Sequence, residues 1–176
     1  MVEKHITLPI SEEELLSLKA GDIVYLSGIV YTARDAAHKR IVEAIKYGKP
    51  LPFELKGCAI YYTGPTPSKP GEIIGACGPT SSSRMDDYTP LLLEKGLKIM
   101  IGKGKRSKDV IDSMKKHKAV YLCAVGGAAA LAKKYISSSE LIAYEDLGTE
   151  AVRKLEFKDF PLIVAIDAKG NSLFER

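Results

Sequence analysis

The sequence has few cysteines, and they form no metal-binding pattern. Cys58, Cys77 and Cys123 are odd in number, widely spaced and without a Cys-x-x-Cys pair. This absence argues against a zinc or iron–sulfur site made by this chain alone. Cys58 and Cys123 lie in apolar, strand-like runs, so we expect both to be reduced and buried. Cys77 lies inside a glycine- and serine-rich stretch, and its role stays open at this point.

Long apolar segments and concentrated charge are also missing. No apolar run reaches membrane-spanning length and no N-terminal signal pattern is present, so we expect the chain to stay in the cytoplasm. The net charge of +4 is mild and scattered, which does not favour nucleic-acid binding. The densest basic run, at 103–108, lacks the interleaved aromatic residues of a base-stacking platform and is equally typical of a solvated helix start.

Length and composition favour one domain over residues 1–176. Hydrophobic residues make up 45% and charged residues 27% of the chain, as in ordinary globular proteins. Strands alternate with helices from about residue 57 to 167, which predicts an α/β fold with a largely parallel central sheet. The predicted strands are 5–10, 23–32 (whole or broken near Gly28), 57–62, 72–74, 97–101, 119–125, 141–144 and 162–167. The predicted helices are 11–18, 33–46, 85–95, 107–117, 128–135 and 149–155.

The stretch 75–90 stands out between an apolar run and a helical run. Its small residues let the backbone approach a ligand closely, and Pro79 fixes one dihedral angle of the turn. We expect its serines to cap the following helix, whose free N–H groups attract an anion. Arg84 lies about one turn into that helix. The alternative interpretation is an ordinary capped loop.

Two further glycine-containing loops, 102–104 and 126–127, also follow predicted strands. In parallel α/β sheets the ligand lies outside the carboxyl ends of the strands, so the three loops are predicted to share one rim. The 102–104 loop lacks the longer glycine-rich frame of a P-loop. The two glycines at 126–127 are equally typical of a tight packing point between strand and helix.

Three cations and one hydroxyl near these loops are the candidate site residues. They are Arg34, Thr80, Arg84 and Lys103. Such a set suits a small polyanion, with a dicarboxylate as the economical ligand and a phosphate as the alternative. In the alternative interpretation, Arg34 forms an ion pair with Asp35 and Lys103 is only solvated. Thr80 has no visible activating histidine, and His38, on the same helix face as Arg34, is more typical of a surface or hydrogen-bonded histidine than of a base.

Five motifs together resemble the β subunits of class I fumarate hydratase and L-tartrate dehydratase. They are ARDAAH at 33–38, GPTSSSRMD at 78–86, IGKG at 101–104, AVGGAA at 124–129 and DFPLIVAID at 159–167. The resemblance runs in the same order over nearly the whole chain, and single-chain members carry the same pattern as their C-terminal domain. At 149–153 the chain departs from the family, which often has Met and Trp there.

The resemblance implies a single swivelling β/β/α domain that completes an active site with a separate α subunit. In the family the α part binds a 4Fe–4S cluster through three cysteines, so the cysteines of this chain are not expected to be ligands. The implied function is the reversible hydration of fumarate to L-malate in a two-component enzyme, with possible homodimerisation within the larger heteromer. There are two alternatives. One is the dehydration of L-tartrate to oxaloacetate, and the other is a non-catalytic anion-binding module on the same scaffold.

The resemblance also implies roles for the candidate residues. The positions of Arg34, Arg84 and Lys103 contact the substrate carboxylates or hydroxyl. Thr80 takes the position of a proposed proton acceptor, and a threonine needs a strongly depressed pKa to act as a base near neutral pH. Arg84 is the expected source of that positive charge, and Thr80 is a ligand-binding hydroxyl in the alternative.

Overall fold

A computed structural model describes residues 2–175, which form one seven-stranded sheet with helices packed against it. The strands are β1 (Glu3–Thr7), β2 (Ile23–Thr32), β3 (Ala59–Tyr61), β4 (Ile99–Gly102), β5 (Val120–Ala124), β6 (Ile136–Ala143) and β7 (Val152–Ile166). The α-helices are α1 (Glu12–Ser17), α2 (Asp35–Lys46), α3 (Thr89–Glu94) and α4 (Lys108–His117). Short 3-10 helices cover Ser82–Met85, Gly126–Ala129, Ala132–Tyr135, Glu145–Glu150 and Leu173–Glu175.

The sheet is mixed, and the prediction of a largely parallel sheet is wrong in this respect. Strands β1 to β5 pair in parallel, but β7 runs antiparallel to β2, β5 and β6. Because β7 pairs with both β2 and β5, the strands β2, β3, β4, β5 and β7 close into a barrel-like ring. The α/β class itself is confirmed.

The length of β7 explains why the prediction of a largely parallel sheet is wrong. Sequence patterns predicted a helix at 149–155 and a short strand at 162–167, whereas one strand of 15 residues replaces most of both. Asp159 has a φ of 48° and Pro161 lies two residues later, so the alternation expected of a continuous strand is interrupted in its middle. The buried residues on either side, Leu155, Phe157 and Leu162, still pack into one core.

Other predicted elements differ in length or kind. Residues 72–74 form no strand, because the segment is a loop held by hydrogen bonds between Thr66 and Ala76. The helix predicted at 128–135 is two separate 3-10 turns. The predicted strand 23–32 is continuous, with a bulge between Leu26 and Gly28. Both serine-capped helices are confirmed, since Ser11 Oγ and Ser107 Oγ accept from backbone N–H groups three residues later.

The core has two parts, one on each face of the parallel strands. Tyr61, Ile101 and Leu122 pack inside the ring with the phenylalanines of β7. Alternate residues of the same strands, such as Ile60 and Met100, pack outward against α2, α3 and α4. The short central strands are therefore buried on both faces, as parallel strands usually are. Across residues 2–175 the helices are all too short or too polar to cross a membrane.

Candidate functional site

Four parallel strands end at the same edge of the sheet. In the register of the sheet, Thr32 of β2 pairs with Tyr61 of β3, and Tyr61 pairs with Ile101 of β4. Gly102 of β4 pairs with Cys123 of β5. The carboxyl ends of β2, β3, β4 and β5 therefore lie side by side. Side chains that follow these ends are brought together although they are far apart in the sequence.

The three glycine-containing loops meet along this rim, as predicted. Ser81 forms an isolated parallel bridge with Lys103. A methyl group on Gly78 would lie 3.4 Å from the carbonyl oxygen of Ala129, so this loop also touches the one after β5. The rim is thus one continuous surface rather than three separate loops.

Thr80 is held on the rim by its backbone, which leaves its hydroxyl available. Its N–H donates to the carbonyl oxygen of Tyr62 at 2.8 Å. The preceding turn is fixed by Thr63, whose Oγ1 donates to the carbonyl oxygen of Gly78 at 2.9 Å. The Thr80 side chain is half-buried, and Oγ1 has no hydrogen-bond partner within residues 2–175. It can therefore hydrogen-bond a ligand without breaking a bond of the fold.

The prediction that the serines cap the following helix is wrong. Helix α3 begins at Thr89, and its N-cap residue Tyr88 makes no side-chain capping bond. Ser82 is buried instead: its Oγ accepts from the backbone N–H of Lys103 at 3.0 Å and bonds the hydroxyl of Tyr121 at 2.7 Å. Its role is to fix the Thr80 loop against the Lys103 loop.

Arg34 and Arg84 meet at a carboxylate that lies between them. Arg84 Nε donates to Asp35 Oδ2 at 3.0 Å, and Arg34 Nε lies 3.8 Å from Asp35 Oδ1. Arg34 pairing with Asp35, left open by the sequence, is thus observed as a long ion pair. Within residues 2–175 the Nη atoms of both arginines have no hydrogen-bond partner.

Lys103 lies at the other side of the Thr80 loop. Its backbone is fixed by Ser82, while its side chain is exposed. Nζ makes no ion pair or hydrogen bond with the part of the chain that the structure describes. A flexible cation of this kind can follow an anionic ligand.

His38 is buried beside the Arg34 backbone and against the ring of Tyr62, rather than placed on the surface. Its Nδ1 lies 2.9 Å from the carbonyl oxygen of Arg34, so Nδ1 carries the proton and donates it. Nε2 is buried without a partner among residues 2–175. Burial lowers the pKa of His38 to about 4, the bond to Arg34 opposes this shift, and the charge of Arg106 adds to it. His38 is therefore neutral at physiological pH.

Arg106 is a residue that sequence reasoning missed. The sequence pattern of the basic run 103–108 is as typical of a solvated helix start as of a binding surface, but the Arg106 side chain is fully buried. Its Nε donates to Asp86 Oδ1 at 2.8 Å, and Nη2 donates to the hydroxyls of Tyr62 and Thr89. No sequence signal separates Arg106 from the lysines around it, because its partners come from distant segments.

Two glycines leave space for the site. A methyl group on Gly102 would lie 2.0 Å from Ser82 Oγ, so only glycine permits the packing of the two loops. A methyl group on Gly64 would lie 2.9 Å from the carbonyl oxygen of Thr149 and 3.1 Å from Arg34 Cδ. The Arg34 side chain therefore packs directly against the backbone of Gly64.

Within residues 2–175 the cysteines are not grouped as the ligands of an iron–sulfur cluster would be. Cys58 and Cys77 are buried in different parts of the core. Burial raises the pKa of Cys58 to about 12 and that of Cys77 to about 11, so both side chains are neutral thiols in this structure. Within residues 2–175 no three His, Cys, Asp or Glu side chains are grouped to hold a metal ion.

The amino-acid sequence of this chain matches a known family. Residues 2–176 match the family described as Fumarase C-terminus, and the chain belongs to that family. Over 166 residues it is 42% identical to "Fumarate hydratase 2" of Leishmania major, covering 93% of this chain and 29% of that protein. Over 153 residues it is 43% identical to "Fumarate hydratase class I, anaerobic" of Escherichia coli, covering 86% of this chain and 28% of that protein.

A second group of relatives has nearly the same length as this chain. This chain is 38% identical over 172 residues to "Putative L(+)-tartrate dehydratase subunit beta" of Methanocaldococcus jannaschii, and the alignment covers 94% of this chain and 88% of that protein. The chain thus spans less than a third of the two fumarate hydratases but most of this β subunit. The resemblance seen in the motifs is confirmed.

Proposed function

We propose that this chain is the β subunit of a two-component fumarate hydratase, which interconverts fumarate and L-malate. The observation that carries the proposal is the rim itself, where three cations and one hydroxyl present unpaired polar atoms. These are Arg34, Arg84, Lys103 and Thr80. Fumarate carries two carboxylates, and a pair of guanidinium groups with a nearby ammonium suits such a dianion.

The cations of this site have two roles in the proposed reaction. Arg34 and Arg84 bind and orient the carboxylates, because a guanidinium group offers parallel N–H donors that match carboxylate geometry. Lys103 supplies a mobile charge. When a proton leaves the carbon next to a carboxylate, negative charge spreads onto that carboxylate, and fixed positive charges stabilise it.

Thr80 is proposed as the group that accepts this proton and returns it in the reverse direction. The species that accepts the proton is the Thr80 alkoxide, so the role requires nearby positive charge that lowers the pKa of the hydroxyl, which Arg84 on the following 3-10 helix would supply. If the pKa is not depressed enough, Thr80 instead donates a hydrogen bond to the substrate.

The remaining parts of the enzyme are proposed to come from a partner α subunit, since this chain spans under a third of the fumarate hydratases that it matches. We assign a 4Fe–4S cluster to that subunit, because within residues 2–175 no three metal-ligating side chains are grouped. We also propose that this chain swivels as a unit against its partner, in the cytoplasm. Homodimerisation within the complex is part of the same proposal.

A second candidate is supported by a specific observation. The relatives of similar length are described as β subunits of L(+)-tartrate dehydratase, so tartrate is the alternative substrate. Tartrate is also a four-carbon dicarboxylate and needs the same cations.

The test is to mix this chain with its cluster-loaded α subunit without oxygen and to follow fumarate absorbance, with tartrate in parallel. Turnover of fumarate with the higher kcat/KM supports the proposal, and faster turnover of tartrate replaces it with the alternative. If neither substrate turns over, the chain is better described as a non-catalytic anion-binding module.

A further inference from the structure

Asp35 has an unusual position among the cations of the rim. Its carboxylate accepts a hydrogen bond from Arg84 Nε at 3.0 Å and lies 3.8 Å from Arg34 Nε. The second distance is too long for a hydrogen bond, and Asp35 Oδ1 is buried without another partner among residues 2–175. One carboxylate thus separates two guanidinium groups and faces the same nitrogen, Nε, of each.

The fold fixes the backbone that carries this carboxylate. Asp35 is the first residue of α2, where the helix dipole favours a negative charge. The backbone on either side of it is fixed, since the Ala33 N–H donates to the carbonyl oxygen of Tyr61 and the Ala36 N–H donates to Glu150 Oε1. The backbone that carries Asp35 is therefore anchored independently of both arginines.

This arrangement determines which edge of each arginine is free. A guanidinium group can bind a carboxylate through its Nη pair or through Nε and one Nη. The carboxylate of Asp35 occupies Arg84 Nε and lies against Arg34 Nε, so the Nη pair of each side chain remains available. We propose that Asp35 is a positioning residue that turns the Nη pairs of Arg34 and Arg84 toward a dicarboxylate substrate.

This inference rests on the proposed function, and the charges of the site make it testable. The three rim cations and Asp35 leave a net charge of two positive units, which matches a dicarboxylate dianion. If Asp35 acted through charge alone, removing that charge would strengthen binding of the dianion. If Asp35 acts by aligning the arginines, removing it weakens binding and slows the reaction. The two effects have opposite signs.

The experiment measures kcat and KM for fumarate in the assembled enzyme with Asp35→Asn. We expect kcat/KM to fall about 10- to 100-fold, with KM raised, because a small misplacement of positioning groups is costly. The control is Asp87→Asn, which removes an exposed carboxylate three residues after Arg84. Its kcat/KM is expected to stay within about twofold of wild type, as for most surface substitutions.

A double-mutant cycle shows whether Asp35 acts through Arg84. In the Arg84→Ala background, Asp35→Asn should cause less than about a third of its effect in the wild type, since non-additivity marks residues that act together. Full additivity, or a KM that is unchanged or lower in Asp35→Asn alone, would overturn the inference. If the Asp35→Asn variant does not assemble, Asp35→Glu is used instead, because it keeps the charge but shifts its position. Unchanged kcat and KM in Asp35→Glu would also overturn the inference.

The failure of this inference is distinguishable from failure of the proposed function. An inactive wild-type complex contradicts the proposed function before any variant is compared. An active wild-type complex in which Asp35→Asn behaves like Asp87→Asn contradicts only the positioning role.

Discussion

Arg106 and Asp86 form a buried ion pair that joins the two loops of the candidate site. The Nε–Oδ1 distance is 2.8 Å, and the other carboxylate oxygen of Asp86 accepts from the backbone N–H of Ser107 at 2.9 Å. Asp86 follows the 3-10 helix that carries Arg84, whereas Arg106 follows the loop that carries Lys103. The pair therefore joins the two backbone segments that carry Arg84 and Lys103, two of the proposed substrate-binding cations.

Breaking this pair should destabilise the chain strongly. We expect Asp86→Asn or Arg106→Met to lower the free energy of unfolding by about 3 to 5 kcal/mol, because one buried charge is left unpaired. Urea unfolding of the isolated chain measures this. The matched control is Asp146→Asn, which removes the partner of Arg40 in an exposed pair with the same 2.8 Å distance. Its effect should be much smaller, and equal losses would contradict the assigned burial.

His38 should make stability depend on pH. Burial lowers its pKa in the folded state to about 4, whereas an unfolded histidine has a pKa of about 6.5. The unfolded state thus binds the proton first, and stability is lost as the pH falls from about 6.5 toward 4. The loss should be on the order of 3 kcal/mol by about pH 4. His38→Asn can keep a donor toward the Arg34 carbonyl and should lack this component of the pH dependence in urea unfolding; an unchanged dependence would contradict the prediction.

Thr80→Ala should remove the proposed proton acceptor while leaving the fold intact, because Thr80 is anchored by its backbone N–H. We expect kcat for fumarate to fall by about 100-fold or more, in the range of a lost general base. Thr80→Ser keeps a hydroxyl and should retain most of the activity. A value of kcat near that of wild type in Thr80→Ala would show that Thr80 is not the base.

Gly64→Ala tests whether the packing of Arg34 against Gly64 matters. The added methyl group would lie 2.9 Å from the carbonyl oxygen of Thr149 and 3.1 Å from Arg34 Cδ, so the backbone or the arginine must move. We expect a raised KM and a kcat/KM that falls about 10-fold or more. Gly127→Ala serves as the control for stability, since, apart from its neighbours in the chain and the backbone of its own helical turn, no described atom lies within 4 Å of the added methyl group. Equal unfolding free energies and equal KM values for wild type and Gly64→Ala would contradict the assigned contact.

The sequence by itself determined the class of the fold, the caps of α1 and α4, and the meeting of three loops on one rim. These features follow from local patterns: a serine cap bonds residues three positions away, and strands followed by glycine-containing loops end at a common edge. The roles of Thr80, Arg34, Arg84 and Lys103 came from the motifs and stay predictions, while family membership is confirmed.

The tertiary structure alone decided the antiparallel β7, the burial of Arg106 and the place of Asp35 between two arginines. Each depends on partners that are distant in the chain: β2 and β5 for β7, Asp86 for Arg106, and Arg84 for Asp35. Periodicity and spacing report only on neighbours, so a buried arginine looks like a solvated one until its counterion is placed. The reason is that burial and ion pairing are properties of the packed chain, not of a local segment.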